Sequence, residues 1–288
     1  MILVTGAAGK TGRAIVNQLV RQGIDVRASV FKEKYVHELY QLGANDVVVG
    51  NLSVSNDLKN SLTGVTAVYH ICPNMHPDEI AIADSVLDAV RASACHRVVF
   101  HSVLHPQASA MPHHWHKLRV EESLFESGLD YTILQPSAYM QNIIMDLKAI
   151  LLNAAYHIPY DPDSKFSFVD LEDIAEVASM VLTTPGHIGA IYELNGPEIL
   201  SVRDVMAIIG TEHKVDIEID YQSQQDWMKQ VGACNFSTFK RDCLSKMFAY
   251  YDRHGFWGNS NVLKWLLGRE PTTVRQLVAR KSSDTKPA

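Results

Sequence analysis

The chain has 288 residues, 47% of them hydrophobic, and carries 26 Lys and Arg against 32 Asp and Glu, a net charge of −6. That length and apolar share suit one large α/β domain or a domain with an appended lobe, and the acidic balance, without a basic block, argues against nucleic acid as a partner. No apolar run reaches the roughly 18–20 residues that span a bilayer, the first strand leaves no room for a leader, and Cys72, Cys95, Cys234 and Cys243 lack C-x-x-C spacing, so a cytoplasmic protein with reduced core thiols, a small-molecule substrate and no membrane partner is expected.

The first predicted element is an apolar strand from Ile2 that runs into Val4-Thr5-Gly6-Ala7-Ala8-Gly9-Lys10-Thr11-Gly12. Glycines at 6, 9 and 12 permit a sharp turn, close backbone approach to a pyrophosphate and tight packing of a helix on its strand. The helix N-terminus then offers unpaired N–H groups and a positive dipole to the phosphates. Ile15, Leu19 and Val20 mark that helix, and a second strand is predicted over 24–30. The order strand, glycine loop, helix, strand predicts a dinucleotide site that includes Thr5, Gly6, Ala8, Gly9, Lys10, Thr11 and Gly12. Lys10-Thr11 also raises an ATP-binding P-loop, but that pattern needs glycine where Val4 stands, and it fails.

A helix over 34–42, ended by Gly43, precedes a short buried strand over 47–49 and a helix over 57–62 closed by Gly64. A strand over 67–71, a long helix over 78–93, a strand over 97–101, a helix over 115–126 and a strand over 131–134 follow. Continuous β-branched strands separated by helices predict an α/β fold, a doubly wound parallel sheet with ligands beyond the carboxyl ends of its strands. Past residue 135 the rhythm loosens: a helix near 139–152 leads to Ile158-Pro159-Tyr160-Asp161-Pro162, an irregular stretch suited to a substrate loop. Asp170, as N-cap, and Asp173, three residues on, suggest a capping pair for a helix carrying Ile174, Val177, Ala178, Val181 and Leu182. Ser201 caps a further helix, and apolar stripes at Leu244, Met247, Phe248 and Tyr251 and over 262–267 read as core before a polar, frayed tail over 281–288. The chain thus divides into a nucleotide-binding domain over 1–150, with a sheet return near 166–195, and a smaller, mostly helical substrate lobe over 151–288.

Taken together, Gly6-x-x-Gly9-x-x-Gly12, Leu134-Gln135-Pro136 leading to Tyr139-Met140-Gln141-Asn142, Val169-Asp170-Leu171-Glu172-Asp173-Ile174-Ala175 and the turn Tyr192-Glu193-Leu194-Asn195-Gly196-Pro197-Glu198 resemble the NmrA-like group of atypical short-chain dehydrogenases/reductases. The resemblance spans roughly residues 1–210; Phe256-Trp257-Gly258-Asn259 resembles only a subset of that group. It implies a Rossmann domain that binds NAD(P), preferentially NADP, and a small C-terminal substrate lobe. Members include quinone and phenylpropanoid reductases, and also regulators that bind the dinucleotide without turning it over.

NAD-specific sites place an acid about 20 residues after the glycine loop; here the second strand ends Ser29-Val30-Phe31-Lys32, which favours NADP with NAD as the second choice. Lys32 or Lys34 can offer charge to a 2′-phosphate, and Phe31, where related NADP enzymes commonly carry arginine, can lie against the adenine. By position, Asn51 and Leu52 should border the adenine, and Ile71, Cys72 and Pro73 the nicotinamide-side ribose, with Pro136 and Tyr139 completing the coenzyme contacts. Short-chain dehydrogenases use a serine, a tyrosine and a lysine four residues after the tyrosine. Ser102 and Lys117 match, but the tyrosine position is His113 in Pro112-His113-His114-Trp115-His116-Lys117. His113 or His114 is therefore the expected proton carrier, Lys117 the ribose contact, and Tyr139 a spare phenol for the substrate. His101, His105, His113, His114 and His116 also raise zinc, but no cysteine or acid stands at diagnostic spacing and no metal is expected. The resulting expectation is an NAD(P)H-dependent oxidoreductase that reduces a small carbonyl, quinone or enone. A dinucleotide-binding sensor without turnover and a redox-silent lyase or isomerase are the alternatives, and a homodimer is left open.

Overall fold

The computed structural model describes residues 1–145 and 147–284. Its first half alternates strand and helix: β1 (Ile2–Val4), α1 (Lys10–Arg21), β2 (Val26–Val30), α2 (Val36–Gln41), β3 (Asp46–Val49), α3 (Ser55–Leu62), β4 (Ala67–His70), α4 (Glu79–Arg91), β5 (Arg97–His101), α5 (Pro112–Glu126) and β6 (Asp130–Pro136). Then come α6 (Met140–Ile143), α7 (Leu147–Asn153), β7 (Ala155–Ile158), α8 (Leu171–Thr183), β8 (Ala190–Leu194), α9 (Val202–His213), β9 (Glu218–Tyr221), α10 (Gln224–Gln230), α11 (Thr238–His254), α12 (Asn261–Leu267) and α13 (Val274–Asp284).

The large sheet has the order β3-β2-β1-β4-β5-β6-β8, and β1 to β6 run parallel. This is the doubly wound arrangement that the continuous apolar strands predict, because β1 and β4 are buried on both faces. The strand order reverses between β1 and β4, which opens a crevice beyond their carboxyl ends. Under one face Leu58, Val86, Phe100, Val120, Leu124 and Ile133 form part of a continuous core, and each such side chain contributes roughly 1.5–3 kcal/mol by leaving water.

The chain forms two compact units. The first comprises residues 1–109, 113–135 and 174–192; the second comprises 110–112, 136–173 and 193–288. Within the second, β7 and β9 make a two-stranded parallel sheet. Ser201 and Asp204 cap α9 reciprocally, as a serine three residues before an acid should.

Several local expectations are corrected. The strand near 47–49 is not buried: β3 lies at the sheet edge, and Val49 is 48% exposed. α5 begins at Pro112 rather than 115, since the fixed φ of proline suits the first helical position. The helix near 139–152 divides into α6 and α7, and the Leu147 N–H donates to Ile144 O at 3.2 Å. The stretch over 158–162 is anchored by Tyr160, whose ring lies 5.5–5.6 Å from those of Phe166, Phe248 and Tyr251 and so serves packing rather than a free loop. Asp170 does cap α8, accepting from the Glu172 N–H at 3.1 Å. The Asp173 carboxylate instead takes Arg269 at 2.8 Å and the Thr272 N–H at 2.7 Å.

Cys72, Cys95 and Cys243 are buried free thiols, while the Cys234 side chain lies outside the described residues. Of the tail expected to fray over 281–288, residues 281–284 are instead the last turn of α13, and 285–288 lie outside the described residues. Among the described residues no helix is long and apolar enough to cross a membrane.

Candidate active site

The loop from β1 to α1 is built around the absence of side chains. Gly6 adopts φ +62°, and a Cβ there would come within 3.0 Å of Ile71 O, so the loop presses against the end of β4. A Cβ on Gly12 would sit 2.4 Å from Gly6 O and 2.6 Å from the Ala7 Cα, a position closed to any larger residue. Gly9 differs. It is exposed, and a Cβ would meet nothing nearer than Gly6 O at 3.4 Å, so the fold does not require glycine there. Its bareness leaves the head of α1 open to a ligand. The first N–H to find a helical acceptor is that of Arg13, on Gly9 O at 2.9 Å, so the first turn of α1 directs its donors out of the helix.

Thr5 is part of the frame rather than of that surface. It is fully buried; its Oγ1 accepts the Ile71 N–H at 2.9 Å and pairs with His70 Nδ1 at 3.0 Å, stapling β1 to β4. Ala8 and Thr11 are half-buried and Lys10 is exposed. At the end of β2, Phe31 is 69% exposed and Lys32 is exposed beside it. The centroid of the Tyr35 ring is 4.9 Å from Lys34 Nζ and 5.8 Å from the Arg13 guanidinium, and Arg13 also pairs with Glu38 at 2.8 Å. Arg13 was not among the expected residues; its signal is a basic residue directly after the third glycine. Asn51 is turned to loop closure: its Oδ1 accepts the Ser53 N–H at 2.9 Å and its own N–H donates to Asp57 at 2.8 Å. Leu52 packs against the core. After β4, Ile71 is half-buried and Pro73 exposed, but Cys72 is buried and its thiol is pushed up to about 12 by burial, which makes it inert.

α5 carries the polar centre of the first unit. His113, Lys117 and Glu121 recur at i, i+4 and i+8, so one helical face directs all three inward. Lys117 Nζ lies 2.7 Å from Glu79 Oε1 and donates to His101 O at 3.2 Å, with the Phe100 ring 5.1 Å below. Burial alone would lower its pKa; Glu79, aided by Cys72 and Glu121, outweighs this and holds it above the usual lysine value. Ser102 donates its hydroxyl to Glu121, whose two oxygens also take Gln135 Nε2 at 2.9 and 3.0 Å. The serine is therefore committed to a buried carboxylate, and burial raises that carboxyl above its ordinary value.

Four histidines around this centre are held neutral. Burial, then the charge of Lys117, brings His70 and His101 to about 3. Burial and the neighbouring His114 bring His113 to about 2. His114 is held near 4, burial outweighing the bond from its Nδ1–H to His105 O at 3.2 Å. His101 Nδ1 pairs with the Tyr69 hydroxyl at 2.6 Å. His113 is 9% exposed and its Nδ1 has no hydrogen-bond partner. Burial thus favours the neutral imidazole at both positions near neutral pH, the form in which either would act as the expected proton carrier.

Pro136 closes β6, and Tyr139, half-buried, stands at the N-cap of α6 and bridges to Val169; both belong to the second unit. Glu79 and Glu121 were missed by sequence reasoning. Their signal is an acid set within an apolar stripe, Glu79 with Ile82, Ala83 and Val86, and Glu121 with Val120 and Leu124. Among the described residues no group of three or more His, Cys, Asp or Glu is spaced to hold a metal ion.

The model of the NmrA-like family matches residues 1–280. The chain belongs to the NmrA-like family. It is 29% identical over 214 residues, 73% of its length and 72% of the relative's, to the NAD(P)H azoreductase of Xenophilus azovorans. An NADPH-dependent quinone oxidoreductase from Escherichia coli, solved with NADPH, superposes with a TM-score of 0.83 at 22% identity, covering 98% of this NmrA-like chain and all (100%) of that one. NmrA itself, a negative transcriptional regulator solved with NADP, superposes with a TM-score of 0.77 at 16% identity over 99% of this chain and 98% of that chain. At such identities these structural likenesses establish the fold.

Proposed function

We propose that this NmrA-like chain is an NAD(P)H-dependent oxidoreductase, with NADPH preferred, that reduces a small carbonyl, quinone or enone. The observation that carries the reading is the pairing of a side-chain-free helix head at Gly9 with a buried, permanently charged Lys117 in the same unit. The residues fit a dinucleotide: Gly6, Ala8, Gly9, Thr11 and Gly12 would hold the pyrophosphate at the first turn of α1, and Arg13, Lys32 and Lys34 the 2′-phosphate. Ile71 and Pro73 would border the nicotinamide-side ribose, with Lys117 as its donor. When bound, the dinucleotide supplies the electron pair for the reduction. Lys117 keeps a fixed positive charge in a low-dielectric setting, where it stabilises negative charge on an acceptor oxygen more strongly than in water. His113, neutral, offers a hydrogen bond from an imidazole whose Nδ1 has no hydrogen-bond partner, rather than a proton from an imidazolium. Binding of the acceptor is assigned to the second unit, with Tyr139 as its candidate phenol. The first unit carries the coenzyme.

The activity is tested by following NADPH absorbance with a panel of quinones, enones and azo dyes. Turnover with at least one acceptor is expected. Tight coenzyme binding with no acceptor consumed would favour a second reading, a dinucleotide sensor, which the committed Ser102 hydroxyl and the histidine at 113 support.

A further inference from the structure

Lys117 draws its counter-ion from a different helix. Glu79 is 1% exposed and opens α4 immediately after the loop that follows β4, where the positive end of the helix dipole favours its carboxylate. Its backbone carbonyl also accepts from the Cys72 thiol at 3.5 Å, so one residue ties this loop to α5 by both main chain and side chain. As a stability device the pair is poor. Desolvating two charges costs about as much as their attraction returns, and apolar replacements of such pairs are commonly neutral or better. Its value lies in geometry. An ammonium has three donors; one of those on Lys117 goes to His101 O, and the Glu79 carboxylate holds the nitrogen as an ion pair at 2.7 Å, which leaves donor capacity for a ligand. The groups that face this ammonium are Glu79 from α4, Cys72 and His70 from β4 and its loop, His101 from β5, and Glu121, His113 and His114 from α5 itself.

We propose that Glu79 is a positioning residue: from the head of α4 it fixes the Lys117 ammonium so that a remaining N–H serves the ribose of the bound dinucleotide. The inference rests on the coenzyme site proposed above and not on turnover. It predicts that Glu79→Gln, nearly isosteric, lowers NADPH affinity roughly tenfold, the worth of a charge-assisted hydrogen bond. It also predicts a new pH dependence, because an ammonium buried without its carboxylate loses its proton at lower pH.

The experiment is a fluorescence titration of NADPH into wild type, Glu79→Gln, Glu79→Asp, Lys117→Met and the double variant Glu79→Gln/Lys117→Met from neutral to alkaline pH. Thermal unfolding of the coenzyme-free proteins is recorded alongside. Wild-type affinity should stay flat where that of Glu79→Gln falls as pH rises, and Lys117→Met should bind weakly whether or not Glu79 is also changed. Glu79→Asp keeps the charge, and so the fold, while shortening the reach; weakened binding at an unchanged unfolding midpoint is expected. Wild-type affinity and a flat profile in Glu79→Gln or Glu79→Asp, or additive losses in the double variant, overturn the inference. Failure of the wild type itself to bind either coenzyme would overturn the coenzyme site as well, and the first titration alone reveals it.

Discussion

Gly12 and the buried histidines set the sharpest expectations at the scale of single residues. Gly12→Ala forces a methyl to 2.4 Å from Gly6 O, so either the loop or the helix must shift. NADPH affinity should fall at least about a hundredfold, as a sub-ångström displacement of a cradle of N–H donors removes several bonds of about 1 kcal/mol each; calorimetric titration measures it. Arg13→Ala should weaken NADPH roughly tenfold and leave NADH unchanged, the contrast that a 2′-phosphate contact requires. The four neutral imidazoles make stability depend on acid. In the unfolded chain they take up protons below about pH 6.5, whereas the folded protein holds His70 and His101 near 3, His113 near 2 and His114 near 4. Their contribution is therefore complete above about pH 6.5 and lost as pH falls, at roughly 1.4 kcal/mol per histidine per pH unit. Cooperative unfolding should appear between about pH 4 and 6, and circular dichroism against pH would show it; a fold unchanged at pH 4 would contradict neutral burial. The glycine loop before α1 and the place of Lys117 on α5 were legible in sequence because both depend on chain position. The neutrality of His113 was not, since it comes from surroundings assembled by β4, β5 and α4.

Among elements, the tie between α8 and α13 bears most weight. Asp170 is fully buried, capping α8 with one oxygen while its other takes Arg280 at 2.6 Å, and Arg280 also reaches Glu172 at 2.9 Å. Arg280→Ala strands a buried carboxylate and should cost about 3 kcal/mol, read by urea denaturation; Asp170→Asn in the same background should restore part of it. The strands of the large sheet could be read from composition because apolar continuity is a local signal, and β1, β4 and β5 stand within a residue or two of their expected limits. The pairing of β7 with β9 could not. Ala155–Ile158 and Glu218–Tyr221 are separated by some sixty residues and are mostly half-exposed, so neither carries a pattern that names its partner. Asp173 misled for the same reason: its partners Arg269 and Thr272 arrive from nearly a hundred residues away.

For the whole molecule, coenzyme binding and folding are linked, since a ligand that selects the native state stabilises it by about 2.7 kcal/mol at one hundred times its dissociation constant. Saturating NADPH should raise the unfolding midpoint by roughly 5 °C, and differential scanning calorimetry with and without NADPH checks this. The first unit is discontinuous in sequence. It takes back residues 174–192, with α8 held by Arg97 on the Val181 carbonyl and by Ser179 on Gln22 at 2.5 Å, and β8 completes the sheet beside β6. During synthesis the N-terminal strands therefore leave the ribosome long before their last neighbour exists. Until then the flank of β6 has no β8 to pair with, an exposed strand edge of the kind that invites association, and any attempt to express the N-terminal portion alone should extend past Leu194.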